Sequence, residues 1–474
     1  MNLSSFSLGP DDLAFATDLY QLTMAAAYHG RPEAPRACFE LFVRRLPEHR
    51  NFLVFAGLEQ AVAALREMRF TGEHIDYLRS LDSFGGIPDS FFQYLRDFRF
   101  RADLDAAAEG TVFFPTEPML RVTGSLVEAQ LVETLLLSIL NFQTAVASKA
   151  ARMVMAAEKP AEAPVAKLAE FGSRRAHGPQ AAAWVARAAY LAGFGATSNV
   201  LAGQRMGIPV MGTMAHSFVQ SFQREEDAFR HYQSLFPGQT IYLVDTYDTV
   251  EGVRKAVELG LPFSGVRLDS GDLGELARRS REVLDQGGWA DAQIFGSGDL
   301  DEYRIETLRR EGAPFDAFGI GTQLASIADA PHLGGVYKLV AVEKDGRWRP
   351  RLKKSSGKAT YPGRKQVFRT EEDGTFTRDR IVPLDSMEGE PGAGPGSQPP
   401  PQGEEALLRP ILRGGELVPE SSEAWSLEAG RGRCREQLRR LPERLRALRV
   451  AEEPYAVGIH PQIEELQRSG GPVE

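Results

Sequence analysis

Thr240-Ile-Tyr-Leu-Val-Asp245 is an apolar run that ends on a carboxylate. A helical stretch from Thr249 to Leu259 follows, and Ser264-Gly-Val-Arg-Leu-Asp269 then repeats the plan. A short buried strand, a polar turn and an amphipathic helix make one βα unit, the crossover that parallel strands require. The rhythm continues on both sides. Further strands are predicted at Leu168-Ala-Glu-Phe171, Ile208-Pro-Val-Met211, Ala292-Gln-Ile-Phe295 and Phe315-Asp-Ala-Phe-Gly-Ile320, with helices at Leu273 to Gln286 and Asp301 to Glu311. The late repeats run roughly 24 to 33 residues from strand to strand, the length of one unit of a parallel barrel. The expected class is α/β, an irregular parallel β/α barrel with an additional α+β domain built from the N-terminal and C-terminal segments.

The flanking sequence has a different texture. A helix is expected over Leu13 to Tyr28, a strand at Ala37-Cys-Phe-Glu-Leu-Phe-Val43, and helices at Val54 to Met68 and Asp89 to Asp97. Gly110-Thr-Val-Phe-Phe-Pro115 and Pro118-Met-Leu-Arg-Val-Thr-Gly124 read as strands paired around a turn. One long helical region, Val127 to Ala157, leads into the repeats. The organisation expected is an N-terminal domain over 1–132, a barrel over 133–338, and a C-terminal segment over 339–474 that packs on the N-terminal domain. Within that segment, Met387-Glu-Gly-Glu-Pro-Gly-Ala-Gly-Pro-Gly-Ser-Gln-Pro-Pro-Pro401 reads as a mobile loop near 387–405, and Glu423 to Leu448 as a charged helix with a solvated face.

Composition narrows the function. With 474 residues the chain exceeds one ordinary core, and 43% hydrophobic with 25% charged residues is a globular balance. A net charge of −9 argues against nucleic acid as a partner. Cys38 and Cys434 are the two cysteines, too few for a disulfide framework or a four-cysteine zinc site, which points to a reducing, cytoplasmic setting. No apolar run is long enough to cross a membrane, and the first ten residues lack the basic start and apolar stretch of a secretion signal, so export is not expected.

Barrel enzymes build their sites at the C-terminal ends of the strands. Those ends carry Glu170 with Arg174 and Arg175, Thr213 with His216, Asp245, Arg267 with Asp269 and Asp272, Ser297 with Asp299, and Gly319 with Gly321 and Thr322. Gly296-Ser-Gly298 and Gly319-Ile-Gly-Thr322 each precede a helical stretch, where free backbone N–H groups suit phosphate oxygens. Two such turns on consecutive strands predict a phosphorylated substrate. Asp269 and Asp272 suit Mg²⁺ or ribose hydroxyls. His216, after Ile208-Pro-Val-Met-Gly-Thr-Met-Ala215, is a titratable nucleophile at a strand mouth, able to accept a proton or a phosphoryl group near neutral pH. Its imidazole could be oriented by Glu170 or by Asp245. No strand end carries the lysine of a Schiff-base enzyme, and neither a Walker loop nor a Rossmann glycine motif occurs.

Seven motifs then carry a family resemblance, in order from Thr17 to Arg369. They are Thr17-Asp-Leu-Tyr-Gln-Leu-Thr-Met24, Phe39-Glu-Leu-Phe42, Glu170-Phe-Gly-Ser-Arg-Arg175, Thr197-Ser-Asn-Val-Leu-Ala-Gly203, Gly212-Thr-Met-Ala-His-Ser217, Gly265-Val-Arg-Leu-Asp-Ser-Gly-Asp-Leu273 and Gly334-Gly-Val-Tyr-Lys-Leu339. Together they resemble nicotinate phosphoribosyltransferase. The resemblance implies transfer of a 5-phosphoribosyl group from its diphosphate to the ring nitrogen of nicotinate, the first step of NAD synthesis from that acid, with ATP as co-substrate and Mg²⁺ as cofactor. It implies that His216 is the phosphorylated histidine, that Tyr20, Thr213 and Arg267 hold nicotinate, and that Thr322 contacts phosphoribosyl diphosphate. Residue type adds Asp269 and Asp272 for the metal, and Arg174, Arg175, Ser297, Gly298, Gly319, Gly321 and Lys338 for phosphates. In that family the barrel mouth can belong to a neighbouring subunit, which points to a homodimer. The alternatives are a nicotinamide-using relative and a non-catalytic nucleotide-binding barrel.

Overall fold

The computed structural model describes residues 9–31, 34–158, 165–353, 360–386 and 389–469. The chain divides into two compact units, Met1–Thr144 with His332–Glu474, and Ala145–Pro331. The helix Glu133–Ala157 carries the chain from the first to the second. Residues 387 and 388 of the Pro/Gly tract, and part of the basic stretch 347–365, lie outside the described residues.

In the first unit, strand Arg36–Val43 is an interior strand of a seven-stranded antiparallel sheet. Gly335–Lys344 lies on one side of it and Leu120–Ser125 on the other. Arg409–Arg413 joins the same sheet beside Asp103–Ala106, so early and late segments of the chain share one hydrogen-bonded surface. The expected pairing of residues 110–115 with 118–124 does not form. Val112–Phe113 pairs instead with Leu53–Val54, while Leu120–Ser125 pairs with Arg36–Val43 and Asp103–Ala106. Each stretch has the apolar content of a strand, but that content does not select a partner. The long helix expected over Val127 to Ala157 is two, Leu126–Leu131 and Glu133–Ala157, interrupted at Val132.

The C-terminal helix is also more internal than its charge suggests. In Leu427–Arg440 the residues Gly430, Cys434, Gln437 and Leu438 are buried at helical spacing, and the arginines occupy the remaining faces. Gln437 Oε1 accepts from Val112 N at 2.7 Å. The described part of the Pro/Gly tract is pinned by Gly394 N donating to Leu384 O, and Gly396 is buried.

The second unit holds six parallel strands, which we label β1 (Lys167–Glu170), β2 (Ala196–Thr197), β3 (Ile241–Leu243), β4 (Gly265–Leu268), β5 (Gln293–Gly296) and β6 (Ala317–Ile320). Their spatial order is β2-β1-β6-β5-β4-β3. The helices Pro179–Ala192, Thr249–Glu258, Leu273–Gln286 and Glu302–Arg310 connect them. This is a mixed α/β fold with a parallel sheet. Ile208-Pro-Val-Met211, expected as a strand, contributes one parallel bridge from Val210 to Thr197. Pro209 has no N–H to extend a ladder there. Strand β2 was missed because two residues give no period to read.

Candidate active site

Registry places the chemistry. Leu243, Arg267 and Phe295 stand opposite one another across β3, β4 and β5, so their side chains share a face of the sheet. On that face Ile241, Phe295 and Ala317 form an apolar cluster, with Met211 packed against it. At the carboxyl ends of the strands the same face opens into a cavity of about 420 Å³. Phe171, Arg174, Arg175, Thr213, His216 and Arg267 line it, together with Asp269, Ser297, Gly298, Asp299, Gly319, Gly321 and Thr322. Six separate strand ends thus converge on one space.

Arg267 is the hub. Its Nε donates to Ser297 Oγ at 2.8 Å, Nη1 to Thr213 Oγ1 at 2.7 Å and Met214 O at 3.3 Å, and Nη2 to Asp269 Oδ1 at 2.8 Å. Four of its five N–H donors are engaged, so one Nη2 hydrogen is left for a ligand. The Phe171 ring centroid lies 5.8 Å from the guanidinium carbon. Burial alone would raise the Asp269 carboxyl. Hydrogen bonds from Ser297 and Arg267, with the charges of Arg267 and His216, outweigh that and hold it below the ordinary carboxylate range.

His216 begins the short helix His216–Gln220 and is partly exposed. Its Nδ1 lies 3.2 Å from Thr246 Oγ1, and its Nε2 lies 3.9 Å from Asp245 Oδ1 and 3.8 Å from Asp269 Oδ2. Asp245 is buried. Its Oδ2 accepts from Asp269 N at 3.0 Å and Ser270 Oγ at 2.6 Å, while its Oδ1 has no hydrogen-bond partner and faces the imidazole. Of the two carboxylates considered for orienting His216, the structure brings Asp245 to the ring. Glu170 is occupied elsewhere. One of its oxygens accepts from Thr197 Oγ1 at 2.6 Å and the other from Gly172 N. Burial pushes its carboxyl up, against those two hydrogen bonds. Thr246 was not foreseen, because nothing in a lone threonine after a strand says which side chain it will meet.

Two glycines require their type. Gly298 has φ +88°, and a Cβ there would sit 1.9 Å from Asp269 O. At Gly319 a Cβ would lie 2.5 Å from the Phe171 ring. Both turns are therefore narrow because backbone or ring must fit against them. Asp272 does not line the cavity. It caps Leu273–Gln286, accepting from Glu275 N. The expected pairing of Asp269 with Asp272 over one cation is thus not what the structure brings together, and among the described residues no group of three or more His, Cys, Asp or Glu side chains could hold a metal. Tyr20 and Lys338 belong to the first unit. The Tyr20 hydroxyl accepts from Gln21 Nε2 at 2.9 Å, and Lys338 Nζ lies 3.7 Å from Glu133 Oε1.

Three guanidinium groups, an imidazole between two carboxylates, and glycine turns at parallel strand ends define an α/β enzyme domain built to hold an anionic, phosphorylated small molecule. The comparisons make that class specific. The N-terminal domain profile of nicotinate phosphoribosyltransferase matches residues 15–141, and the nicotinate phosphoribosyltransferase family profile matches residues 166–379. Nicotinate phosphoribosyltransferase pncB2 of Mycobacterium tuberculosis (strain CDC 1551 / Oshkosh) is 44% identical, over 95% of this chain and 92% of its own. The nicotinate phosphoribosyltransferase of Bacillus subtilis (strain 168) is 46% identical over 76% of this chain and 73% of its own. The crystal structure of human nicotinic acid phosphoribosyltransferase superimposes with a TM-score of 0.79 at 31% identity, covering 96% of this chain and 99% of that one. The protein belongs to the nicotinate phosphoribosyltransferase family. No helix among its described residues is long and apolar enough to cross a membrane.

Proposed function

We propose that this protein is an ATP-assisted nicotinate phosphoribosyltransferase of the cytoplasm. It converts nicotinate and 5-phosphoribosyl 1-diphosphate to nicotinate mononucleotide and diphosphate. The observation that carries the reading is the convergence of Arg267, Asp269 and His216 with the turns 297–299 and 319–322 on one cavity. As the glycosidic C–O bond to the diphosphate breaks, the lone pair of the pyridine nitrogen forms the new C–N bond, and positive charge passes through the ribose. Arg174 and Arg175 then stabilise the departing diphosphate electrostatically. Ser297, Gly298, Gly319, Gly321 and Thr322 supply short donors to phosphate oxygens. Asp269, the carboxylate of the turn 269–272 that lines the cavity, would hold Mg²⁺, which would neutralise charge on the diphosphate.

Arg267 offers its remaining Nη2 hydrogen to the nicotinate carboxylate, and Thr213 stands beside it. His216 takes the γ-phosphoryl group of ATP on an imidazole nitrogen, with ADP leaving. Asp245 sets the ring, which its 3.9 Å approach supports, and Glu170 acts behind the site by tying Thr197 to Gly172. The curved sheet is read as an irregular barrel, in which the Val210 bridge extends the strand order beyond β2. The nicotinate role of Tyr20 and a homodimer belong to this proposal on resemblance alone, and the phosphate role of Lys338 on residue type alone.

The test is direct. The purified chain supplied with phosphoribosyl diphosphate, Mg²⁺ and ATP should form the acid mononucleotide from nicotinate and little product from nicotinamide; preference for the amide would overturn the substrate. His216→Ala should lose both an acid-labile phosphoprotein and the stimulation by ATP, and persistence of both would remove the phosphohistidine.

A further inference from the structure

Ala147-Ser-Lys-Ala-Ala-Arg152 places two cations, three residues apart, on one face of the helix Glu133–Ala157. Both side chains are buried. Lys149 Nζ lies 2.6 Å from Glu302 Oε2 and 2.9 Å from Asp329 Oδ1, and Arg152 Nε donates to Glu302 Oε1 at 3.0 Å. A second Arg152 donor reaches the Tyr303 hydroxyl at 3.0 Å. Buried ions are expensive to desolvate, and an apolar cluster of the same shape commonly serves stability as well. Stability alone therefore does not account for this group.

Its two acids follow the two glycine turns of the cavity in the chain. Glu302 is the first residue of the helix that follows Ser297-Gly-Asp299. Asp329 lies in the turn that follows Gly321 and Thr322. Each of these segments also contains a non-glycine residue in the left-handed region, Asp299 at φ +46° and Ile327 at φ +49°. A β-branched residue is least tolerated there, and such conformations persist only where the surroundings over-determine them. In both segments the left-handed residue comes shortly before the acid that Lys149 binds, and at Ile327 it is a strained one.

We infer that Lys149 is a positioning residue for anion binding. One buried ammonium, acting through Glu302 and Asp329, holds the turns 297–299 and 319–322 at a fixed separation suited to a ligand that touches both. The inference rests on the reading of this cavity as a phosphoribosyl diphosphate site. The ligand class that depends on the tether is a diphosphate, long enough to engage two turns. Orthophosphate, engaging one, depends on it far less, and nicotinate at Arg267 does not depend on it.

Asp329→Asn is the informative variant, because Lys149 keeps Glu302 as its partner. Calorimetric titration of the full chain with inorganic diphosphate should show the Kd raised about tenfold, against less than about twofold for orthophosphate. The KM for phosphoribosyl diphosphate should rise in parallel with that for nicotinate unchanged. Lys149→Arg, which retains the charge, should lie between wild type and Asp329→Asn. An unchanged diphosphate Kd accompanied by a lower Tm would overturn the inference in favour of a purely structural role. So would equal losses for the two anions, or no diphosphate binding by the wild type. A wild-type protein that binds diphosphate but does not convert nicotinate would refute the proposed function alone, and the ratio of the two anion affinities would still decide the tether.

Discussion

Two of the chain's arginine–aspartate pairs, one in each unit, have opposite meaning. In the second unit Arg267 meets Asp269 at 2.8 Å at the edge of a cavity, and both side chains retain some exposure. In the first unit Arg369 grips Asp379 with Nη2 to Oδ2 at 2.6 Å, and side-chain exposures of 1% and 0% seal the pair from water. Gln437 and the Tyr455 hydroxyl complete the sealed pair, and the ring of Phe376 lies 4.7 Å from the guanidinium carbon. Sealed from water, that pair offers a ligand no approach. At Arg267 one donor, a neighbouring imidazole and an open volume are left. The contrast teaches that an ion pair becomes a candidate site through an accessible donor beside a cavity, and that strength of pairing by itself is a mark of structure.

Three perturbations sharpen this difference. Arg369→Met should have the largest effect on folding, a loss of about 3–5 kcal/mol, since Asp379 is left buried without its counter-charge. Denaturant unfolding measures it, while the turnover of the folded fraction should match wild type. Arg267→Lys should do the reverse. Loss of a planar charge-assisted contact, worth about 1.5–3 kcal/mol, should raise the nicotinate KM by tens of fold, with little change in unfolding. Equal stability losses in the two variants would erase the distinction.

The third perturbation uses pH. Burial, and then the negative charge of Asp379, push the Glu117 carboxyl well above its ordinary range, so the native state holds a proton that the unfolded chain has released. A carboxyl with a raised native pKa contributes stability below its unfolded pKa and loses that contribution as pH rises toward the native value. Across that window the unfolded state binds fewer protons, so stability falls by about 1.4 kcal/mol per pH unit. Glu117→Gln should flatten that slope, as read from denaturant midpoints over a pH series. Asp269, held low, behaves oppositely: its contribution is present at neutral pH and is lost only as pH falls through its depressed native value.

Much of the second unit was legible because its repeats are local. Each apolar run, its polar end and its amphipathic helix lie within one stretch of chain, and Leu273–Gln286 appears with the bounds its spacing suggests. Where pairing joins distant segments, legibility fell. The apolar run around Val112–Phe113 says strand, but not that its neighbour is Leu53–Val54. The arginines of Leu427–Arg440 suggest a solvated helix, because charge count does not reveal that Cys434 and Gln437 form the inward face. Within the site, residue type at strand ends was readable. Partner choice was not, since Glu170 and Asp245 are equivalent carboxylates until the chain is folded.

By itself the sequence determined the family, through seven ordered motifs, and the parallel character of the catalytic segment, through hydrophobic period and turn chemistry. Both are properties of short windows. Only the tertiary structure decided that Asp245 faces His216 while Glu170 ties Thr197 to Gly172, that Asp272 caps a helix, and that Lys149 pairs with both Glu302 and Asp329. Those outcomes depend on hydrogen-bond distance and burial between residues far apart in the chain, and a carboxylate or an ammonium acquires its role only from the partner that folding brings within reach.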